Sequence, residues 1–150
     1  MGTVNNPEVP FLYSIPGSLH HGSKIEIAGQ MLDSERFRVD LKTGSHVPDN
    51  VDDNTDDDVN FHLSVRPLYG ISRNHMTEDG WGEEEHDDEC PIAHGAEFKM
   101  VILVEEDKFK VVINDLDFCD FQHRMPLSLA KFLYINGEVK IHYIKIENVA

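Results

Sequence analysis

Only two cysteines occur in the 150-residue chain, Cys90 and Cys119. They are too few and too far apart to frame a disulfide scaffold or a zinc site. They point instead to packed thiols in a reduced, cytosolic setting. No apolar run approaches about 18 residues, which excludes a membrane-spanning helix, and the N-terminus lacks a signal-peptide pattern. Basic residues are scarce: 13 Lys and Arg stand against 28 Asp and Glu, for a net charge of −15. Such a chain is repelled by nucleic acid and by anionic membrane surfaces, which excludes both as partners and excludes membrane insertion. Aromatic residues make up 9% of the sequence, with a single tryptophan, Trp81.

What the chain does have is alternation. Ile25 and Ile27 alternate with Lys24, Glu26 and Ala28; Phe37, Val39 and Leu41 with Arg38, Asp40 and Lys42; Phe61, Leu63 and Val65 with His62, Ser64 and Arg66; Phe109, Val111 and Ile113 with Lys108 and Lys110. Apolar residues at every second position mark strands with one buried face. Turn signals separate the runs at His21-Gly22, Lys42-Thr43-Gly44, Glu106-Asp107, Asn114-Asp115 and Asn136-Gly137. Only Leu127 to Lys131 hints at a helical turn. The pattern predicts an all-β, two-sheet antiparallel β-sandwich, and a single domain over residues 1–150.

The acids are concentrated. Asp49–Asp58 (DNVDDNTDDD) carries six aspartates, and Glu78–Glu89 carries eight acidic residues. An EF-hand loop starting at Asp52 is excluded in the first run, since its sixth position is not glycine and its twelfth is Leu63 rather than Glu. Both runs read as solvated loops, with no metal ligand set and no cofactor implied.

Strand parity gathers a polar row. If Phe61, Leu63 and Val65 face the core, His62, Ser64 and Arg66 project from the opposite face at roughly 7 Å intervals. After a tight Pro67–Gly70 connection, Ile71 points inward while Ser72 and Asn74 point outward beside that row. Trp81 follows past Asp79-Gly80, at the head of a segment bearing Glu84. A sugar ring has a face rich in C–H groups and an edge of hydroxyls. It asks for an aromatic platform and a fan of polar groups. Trp81, His62, Arg66, Asn74 and Glu84 are of those types, and Glu84 is expected to hold Arg66 by a charge-assisted bond.

The stretches NFHLSVRP, SRN and WGEEEH resemble the galectin signature, in which H-x-N-P-R, V-x-N and W-G-x-E-x-R line a groove for β-galactosides. PFLYSIPGSL, RFRVDLKTG, FKVVINDLDFCDFQHRMPL and LYINGEVKIHYIKIE extend the resemblance along nearly the whole chain. It implies a galectin-like jelly roll of five- and six-stranded sheets, with the groove on the concave six-stranded one and the indole exposed. The carbohydrate-binding set it implies is His62, Ser64, Arg66, Asn74, Trp81, Glu84 and His86. Ser64 stands where the family has Asn, Val65 where it has Pro, and His86 where it has Arg. Residues around 45–58 look like an acidic insertion in a normally brief loop, at the end of the groove where sugars beyond galactose lie.

The resemblance therefore implies a non-catalytic lectin domain for β-galactoside-containing glycans, binding weakly or with an altered preference. Its partners would be galactose-containing glycans of glycoproteins or glycolipids, with a second lectin domain or a homodimer as a further association. The expected location is cytoplasmic, with non-classical secretion to the extracellular space. The alternative is a galectin-like protein-interaction or structural module without useful sugar binding. A glycosidase would need paired carboxylates, and nothing marks a partner for Glu84 as positioned.

Overall fold

A computed structural model describes residues 2–33, 35–48 and 57–149. Its strands are β1 (Gly2–Asn5), β2 (Phe11–Ser14), β3 (Lys24–Met31), β4 (Phe37–Lys42), β5 (Val59–Arg66), β6 (Gly70–Thr77), β7 (Gly80–Trp81), β8 (Glu85–Asp87), β9 (Glu97–Val104), β10 (Lys108–Ile113), β11 (Leu116–Gln122), β12 (Phe132–Gly137) and β13 (Val139–Glu147). One turn of 3₁₀-helix spans Leu127–Leu129, where the sequence hinted at it.

All pairings are antiparallel. One sheet runs β1-β13-β3-β9-β10-β11; the other runs β2-β12-β4-β5-β6, with β7 and β8 both paired to β6. Each sheet thus has one strand more than the resemblance implied. In the first, Gly2–Asn5 adds an edge beside β13. In the second, the free edge of β6 is covered in two short pieces: Trp81 pairs with Met76, while Glu85–Asp87 pairs with Ile71–Arg73.

The apolar faces of the two sheets meet in one core. Phe61 of β5 stacks on Phe109 of β10 at 4.8 Å and on Phe121 of β11 at 5.1 Å, and Phe37 of β4 on Phe98 of β9 at 5.4 Å. These offset contacts join the sheets across the sandwich, where ring area removed from water supplies much of the driving force. Alternation did not mark β9, because Met100, Val101 and Ile102 are buried in succession. It lies inside its sheet, between β3 and β10, and a central strand need not alternate.

Two turns position the functional face. Asn114 and Asp115 both take positive φ, 52° and 68°, and close the β10–β11 hairpin as the sequence indicated. Gly70 at φ 109° ends the tight β5–β6 connection, and a Cβ there would lie 1.9 Å from the Asp87 carbonyl oxygen. Glycine lets β8 close against this corner, which brings His86 opposite Ser72.

Candidate functional site

The strand register builds the site. His62 pairs with Asn74 and Ser64 with Ser72, while Asp40 and Arg38 of β4 stand opposite His62 and Ser64 on the other side. Since Phe61, Leu63 and Val65 are in the core, the intervening residues share the outer, concave face. There a groove of about 470 Å³ is lined by Arg36, Arg38, His62, Ser64, Arg66, Tyr69, Ser72, Asn74, Trp81, Glu84 and His86. All seven residues singled out in the sequence lie on it.

Trp81 is 41% exposed at the groove edge, as expected of a platform, and its ring lies 4.7 Å from that of His62 at 49°. Behind His62 stands a buried network absent from the sequence reading. His62 Nδ1 is 2.6 Å from Asp40 Oδ1. The other carboxylate oxygen accepts from Arg38 Nε at 3.1 Å and from its terminal nitrogen at 2.5 Å. Burial pushes the His62 imidazole below its ordinary pKa; Asp40 opposes this, and Arg38 and Arg36 add to it. Burial would raise the Asp40 carboxyl, but His62 and Arg38 outweigh it and hold its pKa low. At neutral pH the arrangement is therefore a neutral imidazole against a carboxylate balanced by a guanidinium. With Nδ1–H donated to Asp40, Nε2 is left as an acceptor.

Asn74 is fixed from several sides. Its amide donates to the Gly82 carbonyl at 3.0 Å, and its oxygen accepts from the His75 N–H at 2.8 Å and from Arg124 at 3.3 Å. Arg124, just past β11, also reaches Glu85 at 2.9 Å and lies over the Phe121 ring, so it braces β6 and β8. Arg73 lies opposite Leu63 and faces inward, not into the groove; it pairs with Asp87 at the sheet edge. His86 Nδ1 is 2.8 Å from Ser72 Oγ, and His86 Nε2 is 3.3 Å from Asp88. Ser64 Oγ is buried and has no hydrogen-bond partner among the described residues. A buried hydroxyl without a partner costs free energy that a ligand hydroxyl can recover.

One expectation fails. Arg66 and Glu84 both border the groove and are exposed, and no ion pair joins them among the described residues. An exposed pair gains little against the entropy of two ordered side chains, whereas the Arg38–Asp40 pair is withdrawn from water. Asp40, not Glu84, is the carboxylate that orders the site. The alternation RFRVDLK could have located Arg38 and Asp40, since it puts them on the face of His62. Of the acidic run, Asp49, Asp52, Asp53 and Asp56 lie outside the described residues. Asp57 and Asp58 are described, and Asp57 pairs with Lys42 at 3.0 Å.

Among the described residues, no helix is long and apolar enough to cross a membrane. Comparison with known proteins places this geometry. The family described as galactoside-binding lectin matches residues 10–146. Galectin-4 of Bos taurus is 31% identical over 142 residues, covering 93% of this chain and 40% of that protein. The 32 kDa beta-galactoside-binding lectin of Haemonchus contortus is 30% identical over 141 residues, covering 93% and 47%. The chain thus spans less than half the length of these curated relatives. A variant of human galectin-16 superposes with a TM-score of 0.84 at 26% identity, over 97% of this chain and 99% of that one.

Proposed function

The chain belongs to the galectins, the non-enzymatic family of galactoside-binding lectins, and on that premise we propose that this groove binds β-galactosides. The pyranose ring lies on the Trp81 indole. His62 Nε2 accepts one ring hydroxyl, and Arg66 and Asn74 donate to others. Glu84 accepts at the mouth of the groove, Ser64 Oγ takes a hydroxyl it now lacks, and His86 stands beside Ser72. One observation carries this reading most: an exposed indole stands 4.7 Å from an imidazole whose tautomer a buried carboxylate fixes. A side chain held in that way is prepared to recognise a hydroxyl of defined direction.

Affinity is weakened or its preference shifted relative to the family pattern. Ser64 is shorter than the family's Asn, and His86 replaces an Arg. Each lost hydrogen bond of this kind is worth roughly 0.5–1.5 kcal/mol, and more when charged. Retention on immobilised lactose, followed by a glycan array, tests the reading. Failure to be retained, with the array also blank for terminal galactose, would reject it. A second reading, a galectin-like module that grips a protein, is favoured by Leu68 and Tyr69, 74% and 67% exposed beside the groove. A blank array with an intact fold would select it.

We also propose that residues 1–150 act as a single lectin domain paired with a second, in tandem or as a homodimer, on glycans of glycoproteins or glycolipids. The share of the longer relatives that the chain covers supports this, and sedimentation of the full protein checks it. A cytoplasmic location with non-classical secretion fits the reduced thiols. Fractionation of cells and medium would test it, and capture through the secretory pathway would contradict it.

A further inference from the structure

The groove ends at β4. Its lining comes from Arg36 just before β4, from β4 to β8 and from the connections between them, and no residue of β12 or β2 contributes. Yet those two strands continue the same concave face. Tyr134 of β12 pairs directly with Asp40 and so shares its face, and it is fully buried, as are Asp40 and Lys42.

The covering groups can be identified. Lys42 Nζ stands 5.3 Å from the centroid of the Tyr134 ring, which puts the ammonium over the concave face. From there it donates to the His46 carbonyl and, at 3.0 Å, to the Asp57 carboxylate. The His46 N–H donates to the same carboxylate oxygen at 2.9 Å. Both described ends of the β4–β5 connection, residues 43–48 and 57–58, are thereby tied down beside the Tyr134 ring. An ammonium withdrawn from water requires such a partner. The Lys42 side chain is 0% exposed, and Asp57 supplies its charge.

We propose that the Lys42–Asp57 latch, with the His46 backbone, closes the concave sheet beyond β4, so that the groove takes a terminal galactoside and refuses a further sugar on that side. This rests on the β-galactoside reading and specifies its ligand. A glycan crossing the strands from Trp81 over β6 and β5 meets β4 and then finds β12 occupied by the chain itself. The exclusion is steric in the first instance, so it applies to neutral extensions as well as to charged ones.

The test uses calorimetry with two neutral ligands, lactose and lactose bearing an α-galactose on the 3-hydroxyl of its galactose. They are titrated into the wild-type chain, Asp57→Asn, and a variant whose residues 44–57 are replaced by an Asn-Gly turn. In parallel, acylation of Lys42 by an amine-reactive ester is followed by peptide mass spectrometry, with exposed Lys140 as the internal standard. Lactose should bind all three proteins alike, and the trisaccharide should bind the wild type at least about tenfold more weakly. That deficit should shrink in the shortened variant, and Lys42 should be protected in the wild type and labelled in Asp57→Asn. Equal binding of both ligands by the wild type would overturn the proposal. So would a deficit undiminished by the shortening, or acylation of wild-type Lys42 as fast as Lys140. Protected Lys42 with no lactose binding in any protein would instead overturn the galactoside reading, and the ligand assignment here with it.

Discussion

Trp81 and Tyr134 stand on the concave face of one sheet and have opposite fates: the indole is 41% exposed and the phenol 0%. Only Trp81 borders the groove. The difference lies in what covers them. Around Trp81 the neighbours are short strands and turns, and the Arg38–Asp40–His62 network is buried beside the groove. Around Tyr134, Arg38 and Lys42 lie 5.7 and 5.3 Å from the ring centre, and the β4–β5 connection holds Lys42 in place. Buried charges on this sheet thus do two jobs. On one side they orient a side chain toward the groove, and on the other they hold a cover down.

The largest expected effect comes from removing the carboxylate between the two regions. Asp40→Ala removes the carboxylate that two nitrogens of buried Arg38 bond and leaves His62 without its orienting acceptor. Breaking a buried pair in this way should cost about 3–5 kcal/mol in urea unfolding, with lactose retention lost. A loss below about 1 kcal/mol would show that Arg38 is solvated and the network ornamental.

Trp81→Ala should abolish detectable lactose binding while leaving stability within about 1 kcal/mol, because the indole supports no core contact between sheets. A large loss of stability with binding retained would place Trp81 with Tyr134 as a packing residue.

Ser64→Asn with His86→Arg should strengthen lactose binding by roughly one to two decades, since each change restores a longer donor on the groove. If the double variant binds no better, Arg38, directly across from Ser64, has rebuilt this part of the groove for another ligand.

The smallest effect is that of pH. The folded-state pKa of His62 is depressed, so the imidazole stays neutral through its ordinary value of about 6.5. Lactose affinity should therefore be level from pH 8 to 6.5 and fall only in stronger acid, as Nε2 takes up a proton. Stability follows the same sign. The unfolded chain protonates first, so the contribution of His62 is fully present above about 6.5 and is lost as pH falls through the lower folded value. The depressed Asp40 carboxyl adds a further loss below about 3.9. A binding midpoint at pH 6.5 would contradict the buried, neutral imidazole.

Much of this was legible in the sequence, because strand parity is local. Alternation located the faces of β3, β4, β5 and β10, and Asn114-Asp115 stood at the β10–β11 turn, whereas Asn136 and Gly137 lie within β12, paired with β4, before the chain crosses to the other sheet. Parity also put His62, Ser64, Arg66 and Asn74 on one face, while His86 joined them through the family resemblance. What parity could not show was non-local. Which acid holds which base depends on β4 lying beside β5, so Asp40 was passed over in favour of Glu84, which borders the same groove without an ion pair to Arg66 among the described residues. Strand β9 escaped because the apolar Val101 and Leu103 on its outer face mask the alternation in the sequence, and β1 because four residues at an edge carry too little pattern. The cover over Tyr134 depends on contacts between positions 15 residues apart, Lys42 and Asp57. The acidic run marked that connection, but it read as a solvated loop and gave no sign of a latch.

We propose Trp81 as the platform of a galactoside groove, and the chain's lone tryptophan makes this directly testable. Titrating the wild-type protein with lactose while following intrinsic tryptophan fluorescence reports on that indole alone. The account predicts a saturable change with lactose and none with sucrose at the same concentration. A spectrum unmoved by lactose up to about 0.1 M, well beyond a dissociation constant of the millimolar class, would contradict it.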